Sequence, residues 1–446
     1  MGAAIVILVV LALVASWAAA VIPMENATTT VDTDGRYLMI EAKTPLYYGA
    51  HGFAIASVLA AGLLAAFIGG FKTLSLTVRL AFYVLLLTAA SWAVIAYTPE
   101  ELLSSEIFGS TGPFTWFTLI FVMAGMDRRI WVYIDPVLRG LTYLSLALAV
   151  RTLISSPYHS FVGYSRYVLY AQLLTWLGGW TLLTATRLRG FRLLARAIPL
   201  MAGISMAICA QSRSWTILCC LLGAAFILLR SREHGSTLSG ARTLAMACTL
   251  GAAAGAFVYT TMPHTFGASV SGLVGRIDQD TRTGQYGAFF EVVPVTDLLL
   301  GRGPKGTWYW PGFGEYQFFD NGFLWALFIG GIPTLLSYVT ILLWPAIRAL
   351  RHRPAGGDAA AVCLLLLAIL ALAGLSTFSP PSMGINGVLL SLWAGRCHLF
   401  LAERSERVCL VRRSTTGLRS PVLAIEKFRR AKFTDSSARG CQLGNS

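Results

Sequence analysis

The sequence predicts an all-α polytopic membrane protein with about 12 transmembrane helices and one long outer loop between the ninth and tenth helices. Of the 446 residues, 56% are hydrophobic and only 13% are charged, whereas roughly a quarter of residues are charged in average soluble domains. Twelve apolar stretches follow one another, and about 20 apolar residues cross a bilayer as a helix. These observations exclude a soluble enzyme, a disordered chain and a disulfide-rich scaffold.

Hydropathy places the twelve spans in succession along the first 401 residues. The fourth and seventh spans are among the shortest. The predicted bounds are Ala3–Ile22, Tyr48–Phe71, Leu80–Thr98, Phe114–Met126, Val137–Ile154, Tyr167–Thr186, Ala197–Ala210, Trp215–Leu229, Leu244–Thr260, Gly322–Trp344, Ala359–Phe378 and Gly384–Leu401. An even number of spans places both termini on one side of the membrane.

The charges of the connecting segments predict the orientation. With both termini cytoplasmic, the inner segments hold 26 Lys and Arg against 8 Asp and Glu, and the outer segments hold 9 against 13. This split, net +18 inside and −4 outside, follows the positive-inside rule. The overall charge of +14 is therefore mainly a topology signal. No nucleic-acid partner is predicted, since no motif that reads nucleic acid accompanies the charge.

The composition changes after the last span. Residues 1–401 are predicted to form the transmembrane domain, and residues 402–446 a basic, flexible cytoplasmic tail near anionic lipid. At the end of the first span, Ala18-Ala19-Ala20 fits either a signal-peptide cleavage site or a retained helix, and the lack of a basic stretch before the span favours the retained helix. The eight cysteines show neither a disulfide framework nor metal-ligand spacing, and no cofactor is predicted.

The long outer connection, Thr261–Asp320, is a candidate for chemistry because long loops in compact proteins are usually functional. Its centre predicts an interfacial helix, interrupted at Pro294, with one face lined by Tyr286, Phe289, Phe290, Val293 and Leu298. The following GRGPKGTW is a glycine-rich turn without the spacing of a nucleotide-binding loop. Asp278-Gln279-Asp280 has the spacing of a metal-binding pair, but this spacing is common by chance, and we expect no metal requirement.

Several arginines run against the positive-inside trend. They are Arg151, Arg166, Arg213, Arg276, Arg282 and Arg302. An arginine at an outer helix end can simply extend its side chain to the membrane surface. Arg213 is different, because the connection Gln211-Ser212-Arg213-Ser214 is too short to hold it far from the bilayer. A guanidinium binds phosphate oxygens in pairs and stays charged, so Arg213 suits a diphosphate at the outer membrane surface.

The order of several motifs is also informative. SRSW precedes an apolar helix that ends in LLRSR, and one further helix leads into the long loop. The loop contains RTGQYGAFFEVVPVTDLLLGRGPKG and ends in DNGFLWALFIGGIPTLLSYV. Over about Gln211–Leu350, this order resembles the O-antigen ligase and polysaccharide polymerase family of bacterial envelopes. The resemblance implies a metal-independent, inverting glycosyltransferase that joins glycans carried on undecaprenyl diphosphate.

The resemblance carries over to a few positions. Arg213 matches the Ser-Arg position of the family, Arg282 matches the loop arginine before the aromatic segment, and Gly301 and Gly303 match its Gly-x-Gly turn. Asp320-Asn321 stand where many members have His-Asn, and the missing histidine favours a polymerase over a ligase. The resemblance also implies a bacterial inner membrane, a periplasmic long loop, a lipid-linked glycan donor and acceptor, and flippase and chain-length regulator proteins as partners.

The proposed roles follow from the reaction, in which an acceptor hydroxyl attacks the anomeric carbon and a diphosphate leaves. Arg213 and Arg282 are predicted to stabilise the leaving group. Asp320 is predicted to orient the acceptor or take its proton, although an aspartate there also fits a helix N-cap. The predicted substrate-binding residues are Arg151, Arg166, Arg276, Glu291, Arg302, Glu315, Trp308 and Trp310. For the tryptophans, an interfacial aromatic belt is the alternative role.

Two other classes of protein stay open from the sequence. A polysaccharide or lipid transporter would need charged or broken helices at mid-membrane, and Gly330-Gly331-Ile332-Pro333 is the clearest break. A structural subunit of an envelope complex would need neither the arginines nor the long loop. As controls for the arginine site, Arg230 and Arg232 on the inner side are predicted to tolerate alanine.

Overall fold

The computed structural model describes residues 2–22, 27–31, 37–41, 44–98, 119–155, 161–234, 281–312, 314–316, 321–375 and 384–417. Within these residues the chain is mostly helical, and nine helices are long and apolar enough to cross a bilayer. These nine coincide with predicted spans one to three, five, seven, eight and ten to twelve. The prediction of a polytopic helical membrane protein is therefore confirmed. The count of twelve stays a prediction, since span nine and part of span four lie outside the described residues.

The helices are numbered here in chain order. They are α1 Gly2–Val21, α2 Pro45–Ala65, α3 Phe71–Thr73, α4 Leu76–Ala96, α5 Phe121–Gly125, α6 Ile130–Ser155, α7 Phe161–Leu173, α8 Gly179–Leu183, α9 Gly190–Cys209, α10 Arg213–His234, α11 Thr281–Val292, α12 Val295–Leu300, α13 Gly322–Tyr338, α14 Trp344–Arg351, α15 Gly356–Leu370 and α16 Ile385–Gly417. The chain divides into two compact units, Met1–Leu399 and Phe400–Ser446.

Several helices continue through π-helical turns. Ala66–Gly70 joins α2 to α3, Leu174–Gly178 joins α7 to α8, Val339–Leu343 joins α13 to α14, and Ala371–Leu375 extends α15. A π-turn inserts a residue into the helical repeat and changes which side chains face a neighbour. The joined α7–α8 helix carries predicted span six, and the joined α13–α14 helix carries span ten.

Two short antiparallel hairpins depart from the all-α prediction. Strands β1 Ala27–Val31 and β2 Tyr37–Glu41 pair in the connection between α1 and α2, and β3 Trp308–Trp310 and β4 Gly314–Tyr316 pair in the long loop. Runs of β-branched and aromatic residues, such as Thr-Thr-Thr-Val and Trp-Tyr-Trp, favour extended backbone. The sequence therefore held a local signal for both hairpins.

The core of the helical bundle combines aromatic clusters with close helix contacts. The Trp176 ring meets the Trp215 ring edge to face at 5.7 Å between centroids and lies 5.8 Å from the Trp393 ring. Elsewhere, a side chain on Gly395 would meet the backbone of Gly125, so α5 and α16 approach each other through two glycines. Small residues at such contacts let helix backbones pack closely within a membrane.

Polar contacts gather several helix ends at one end of the bundle, here called the basic end and defined by Arg187, Arg232, Arg353 and Arg396. Arg187 pairs with Glu233, with 3.5 Å between nitrogen and oxygen, and Arg232 donates to the Arg353 carbonyl. Arg396 pairs with Asp358 at 2.8 Å. The opposite end, where α9 turns into α10 and α13 begins, is called the loop end.

Candidate functional site at the loop end

A tight turn places Arg213 at the loop end. Helix α9 ends at Cys209, and the Ser212 amide donates to the Ala207 carbonyl at 2.9 Å, which closes the helix over Gln211 in the left-handed conformation with φ 50°. Helix α10 then begins at Arg213 itself. The half-buried Arg213 is thus the first residue of a 22-residue helix. Backbone amides and the helix dipole favour anions at that position.

A contact deeper in the bundle gives the height of Arg213, meaning its distance along the helix axes towards the loop end. The Thr175 hydroxyl lies 3.0 Å from the Cys219 sulfur, and α7–α8 and α10 run in the same direction. Arg213 precedes Cys219 by six residues and Arg166 precedes Thr175 by nine. A helical rise of 1.5 Å per residue places them about 9 Å and about 14 Å above the contact. Arg166 and Arg213 therefore lie within about 5 Å of the same height.

Tyr170 lies near two of the predicted arginines. Its buried hydroxyl shares a hydrogen bond with Thr152 and lies within electrostatic range of Arg151 and Arg166. Arg151 is exposed on α6, and Arg166 is half-buried on α7. We call Arg151, Arg166 and Arg213 the arginine rim, because three separate helices carry them at the loop end.

Gln211 was not predicted as a site residue, and its left-handed backbone beside Arg213 makes it a further candidate. A residue other than glycine in the left-handed region costs roughly 1–2 kcal/mol, and such strain tends to occur at functional sites. Gln211→Gly should keep the turn and unfold at an equal or higher temperature while losing the side-chain amide. If that amide binds substrate, activity in membranes should fall about tenfold. Gln211→Ala should match this loss without the gain in stability, whereas full activity in both variants would leave Gln211 a turn residue only.

Aromatic packing holds the described part of the long loop on the bundle. Phe289 of α11 is fully buried between the Trp308 ring at 5.5 Å and the Phe328 ring of α13 at 5.9 Å, both edge to face. Trp308 is only 1% exposed, and the half-buried Trp310 stacks on it at 6.1 Å. The geometry therefore favours packing for Trp308 and leaves Trp310 the better candidate for stacking on a sugar.

Trp308→Ala and Trp310→Ala separate these two roles. Loss of a buried tryptophan typically costs about 3–5 kcal/mol, so Trp308→Ala should lower the unfolding midpoint markedly. Trp310→Ala should lower it less and should mainly affect substrate use. Thermal unfolding of the purified variants in detergent, together with their activity, tests both. If Trp308→Ala unfolds normally but loses activity, the Trp308 ring binds substrate after all.

Arg302 stabilises the turn Gly301–Gly306 through its side-chain contacts. Its guanidinium contacts the Asp297 carboxylate through Nε at 2.9 Å and Nη2 at 2.8 Å, and Nη1 donates to the Thr307 carbonyl at 2.7 Å. These contacts tie the end of α12 to the start of the hairpin. The pair is about one-third exposed, so we expect only a modest contribution to stability.

The same turn docks into the break of α13. Gly331, with φ 71° and ψ −173°, interrupts the helix, and the amides of Arg302 and Gly303 donate to the Phe328 and Ile329 carbonyls at 2.7 and 2.9 Å. Pro333 has no amide proton with which to close the helix onto Ile329. The loop therefore satisfies carbonyls that the broken helix leaves open, as buried backbone requires.

Asn321, the residue after the predicted Asp320, caps α13. Its side-chain oxygen accepts from the Phe323 and Leu324 amides at 3.0 and 3.1 Å, and its Nδ2 donates to the Ala373 carbonyl at 3.3 Å. The capping role weighed for Asp320 therefore falls on Asn321. Asp320 itself lies outside the described residues, and its role as a base stays a prediction.

The remaining predicted residues are placed only in part. Glu291 is exposed on α11, and Glu315 is exposed on β4, where it accepts from the Thr307 hydroxyl at 3.4 Å. Arg282 lies in the first turn of α11, but its side chain is outside the described residues. Arg276 lies outside them altogether. The predicted meeting of Arg213 with Arg282 therefore stays a prediction.

The described residues contain no group of three or more His, Cys, Asp or Glu side chains that could hold a metal ion. Asp278 and Asp280, the weak metal candidates, lie outside the described part of the chain. The structure thus supplies no ligand set from which to argue a metal step.

One of the two control arginines proves unsuitable. Arg230 is buried and donates to the Thr186 and Leu188 carbonyls at 3.1 and 2.7 Å, which closes the end of the α7–α8 helix. Its loss would leave buried carbonyls without donors, which is costly. Arg232 donates to the Arg353 carbonyl at the surface. A better control is Arg404, which is exposed on α16.

Comparison with known proteins finds no family model, no curated protein and no solved structure that matches this chain. Its class is therefore defined by its own fold. It is a multi-pass helical membrane protein with an arginine rim and a docked, partly helical loop at one end of the bundle.

Proposed function

We propose that this protein is a membrane glycosyltransferase that polymerises glycan repeat units carried on undecaprenyl diphosphate, for exopolysaccharide or O-antigen. Polymerisation takes place at the outer face of the bacterial inner membrane, with both termini cytoplasmic and the long loop periplasmic. The position of Arg213 carries the proposal. It starts a long helix in a tight turn, and Arg166 lies on a neighbouring helix at nearly the same height. Guanidiniums at a similar height and a helix N-terminus are features that suit a diphosphate, and they support the proposal.

The chemistry needs no redox step and no cofactor. The acceptor hydroxyl attacks the anomeric carbon, the bond from that carbon to the diphosphate oxygen breaks, and the configuration inverts. Charge grows on the leaving diphosphate, and fixed cations there stabilise the transition state. Arg213 and Arg282 are the proposed cations, with Arg151 and Arg166 as further contacts. Asp320 is the proposed acceptor of the hydroxyl proton.

The proposed enzyme requires no metal ion. Activity of the purified protein on a lipid-linked donor and acceptor should therefore persist in excess EDTA, because the arginines supply the positive charge that a metal would otherwise provide. Loss of activity that returns with added Mn²⁺ or Mg²⁺ would contradict this and favour a metal site at Asp278-Gln279-Asp280.

A deletion strain tests the function most directly. Loss of long polysaccharide chains with single-unit chains retained supports a polymerase. Loss of every glycan attached to lipid A core instead means a ligase, which is the first alternative. Unchanged polysaccharide would overturn both. Flippase and chain-length regulator proteins are proposed as partners, and their capture with the tagged protein would extend the polymerase assignment.

The transporter alternative loses support from the docked turn. A broken helix in a transporter would use its free carbonyls to bind ions or line a pathway. Here the Phe328 and Ile329 carbonyls at the Gly331 break are already bound by the amides of Arg302 and Gly303. The break instead positions the long loop, which is what an enzyme with its site in that loop requires.

A further inference from the structure

The elbow formed by α11 and α12, Thr281–Leu300, is apolar on two opposite sides. One side is buried in the protein through Phe289, Val293 and Leu298. The other side exposes Phe290, Val295, Leu299 and Leu300, with Val295 76% and Leu300 72% accessible. An exposed apolar patch of this kind marks a surface that contacts protein or membrane. Because the first side already contacts protein, the second side needs a different apolar neighbour.

Helix α4 shows how deep the elbow lies. The Trp92 indole nitrogen donates to the Leu300 carbonyl at 3.3 Å, and Trp92 lies four residues before the end of α4. With 21 residues, α4 is about 31 Å long, which matches the hydrocarbon thickness of a bilayer. The Leu300 carbonyl therefore lies about 6 Å inside the loop-end boundary of that hydrocarbon. Tryptophan is also typical of the membrane–water interface next to this level.

The α13–α14 helix gives an independent estimate. Gly331 packs against the Leu299 carbonyl and the Leu300 backbone, and it precedes Arg351, the end of α14 at the basic end, by twenty residues. That length is about 30 Å, again one hydrocarbon thickness. Both helices thus place Leu299 and Leu300 at the membrane boundary. Exposed Ile332 and Leu336 on α13 continue the apolar surface from the same level.

The charges also fit a lipid environment in the stretch that follows the exposed Glu291 of α11. Between Val292 and Gly301 the only charged side chain is Asp297, and it is paired with Arg302 at 2.8 Å. Charged groups that enter a membrane are found in such pairs. The next amides in the chain, those of Arg302 and Gly303, are bound to α13.

We propose that the exposed side of the elbow, Phe290, Val295, Leu299 and Leu300, is seated among the acyl chains of the membrane leaflet at the loop end. The sequence predicts an interfacial helix here with Phe289 and Phe290 on one face, whereas the structure buries Phe289 in the protein and exposes Phe290 on the other side. The proposed contact with lipid is therefore made over α12, to the depth typical of an interfacial helix. The occupant of this surface is bilayer phospholipid. The inference does not depend on the glycosyltransferase proposal, since it rests on depth, exposure and charge alone.

Photocrosslinking in lipid nanodiscs tests the inference. The full chain carries p-benzoylphenylalanine at Val295, at Leu300 or, as the control, at Tyr309, which is exposed on β3. All three positions are exposed, so the fold should tolerate the larger side chain, and the unfolding midpoint verifies this. After irradiation in phosphatidylethanolamine and phosphatidylglycerol nanodiscs, peptides are examined by mass spectrometry for phospholipid adducts.

We expect phospholipid adducts at Val295 and Leu300 at least tenfold above the yield at Tyr309. Yields at Val295 and Leu300 no higher than in samples kept in the dark would mean that the elbow lies in water and would overturn the inference. Crosslinks from Val295 and Leu300 to a second copy of the chain, in place of lipid, would overturn it as well, because a protein would then cover the surface.

Discussion

Gly331→Ala is expected to destabilise the folded protein strongly, although it adds only one methyl group. Gly331 (φ 71°, ψ −173°) and Gly301 (φ 81°, ψ 170°) both occupy a conformation that is almost exclusive to glycine. A Cβ on Gly331 would lie 2.6 Å from the Leu300 carbonyl carbon and 2.7 Å from the Gly301 nitrogen. These are backbone atoms, which cannot rotate away. Strain and overpacking together should cost about 2–6 kcal/mol, a large share of a typical stability of about 5–15 kcal/mol.

Gly312→Ala is the matched control. Gly312 also has a left-handed φ, at 84°, but a Cβ there meets no atom within 4 Å. This variant loses stability only through its left-handed backbone, by roughly 1–2 kcal/mol. Membrane abundance and the unfolding midpoint in detergent should therefore fall far more for Gly331→Ala than for Gly312→Ala. Equal, small losses in both variants would mean that the docked turn contributes little to the fold.

The positions of the membrane spans could be predicted from the sequence because hydropathy is a local property of about 20 residues. The docking of the Gly301–Gly306 turn could not, since it depends on a helix break that lies thirty residues further along the chain. Gly330-Gly331-Ile332-Pro333 was predicted as a break, and GRGPKGTW as a turn. Two backbone hydrogen bonds join the turn to the break, and no pattern of side chains in the sequence predicts these bonds.

The site residues show the same distinction. The shortness of Gln211–Ser214 was enough to place Arg213 near the membrane surface, whereas the similar height of Arg166 depends on the contact between Thr175 and Cys219. Arg302 was grouped with the site because it is an arginine on the predicted outer side. Asp297, five residues earlier, was a signal of its structural pairing.

Trp308 and Trp310 were predicted together as substrate contacts. Alternate residues of a strand share a face, so their stacking on each other follows from the Trp-Tyr-Trp pattern. Which of the two is buried is decided by Phe289 and by the packing of α11, which are distant in sequence. A pattern within three residues therefore gave the strand and its faces, and tertiary packing separated the two roles.

Arg213→Ala should abolish long polysaccharide while the protein remains in the membrane at its normal abundance. Arg213 is the half-buried first residue of α10, and a cation fixed at that position would stabilise the leaving diphosphate. Removing one group that stabilises transition-state charge typically costs on the order of a hundredfold or more in rate. Arg213→Lys should restore only part of the activity, because an ammonium cannot reproduce a bidentate contact. Arg404→Ala, at an exposed position of α16, should be normal.

Combining Arg213→Ala with Arg282→Ala tests whether both arginines act on one diphosphate. Residues that act as a unit are strongly non-additive, so the double variant should be little worse than either single variant. Independent roles predict instead that the two rate losses multiply. The rate of polymer formation by the purified single and double variants on a lipid-linked donor and acceptor distinguishes these results. Normal-length polysaccharide from Arg213→Ala at normal abundance would mean that Arg213 only anchors its helix at the membrane surface, and the proposed transition-state role would then be lost.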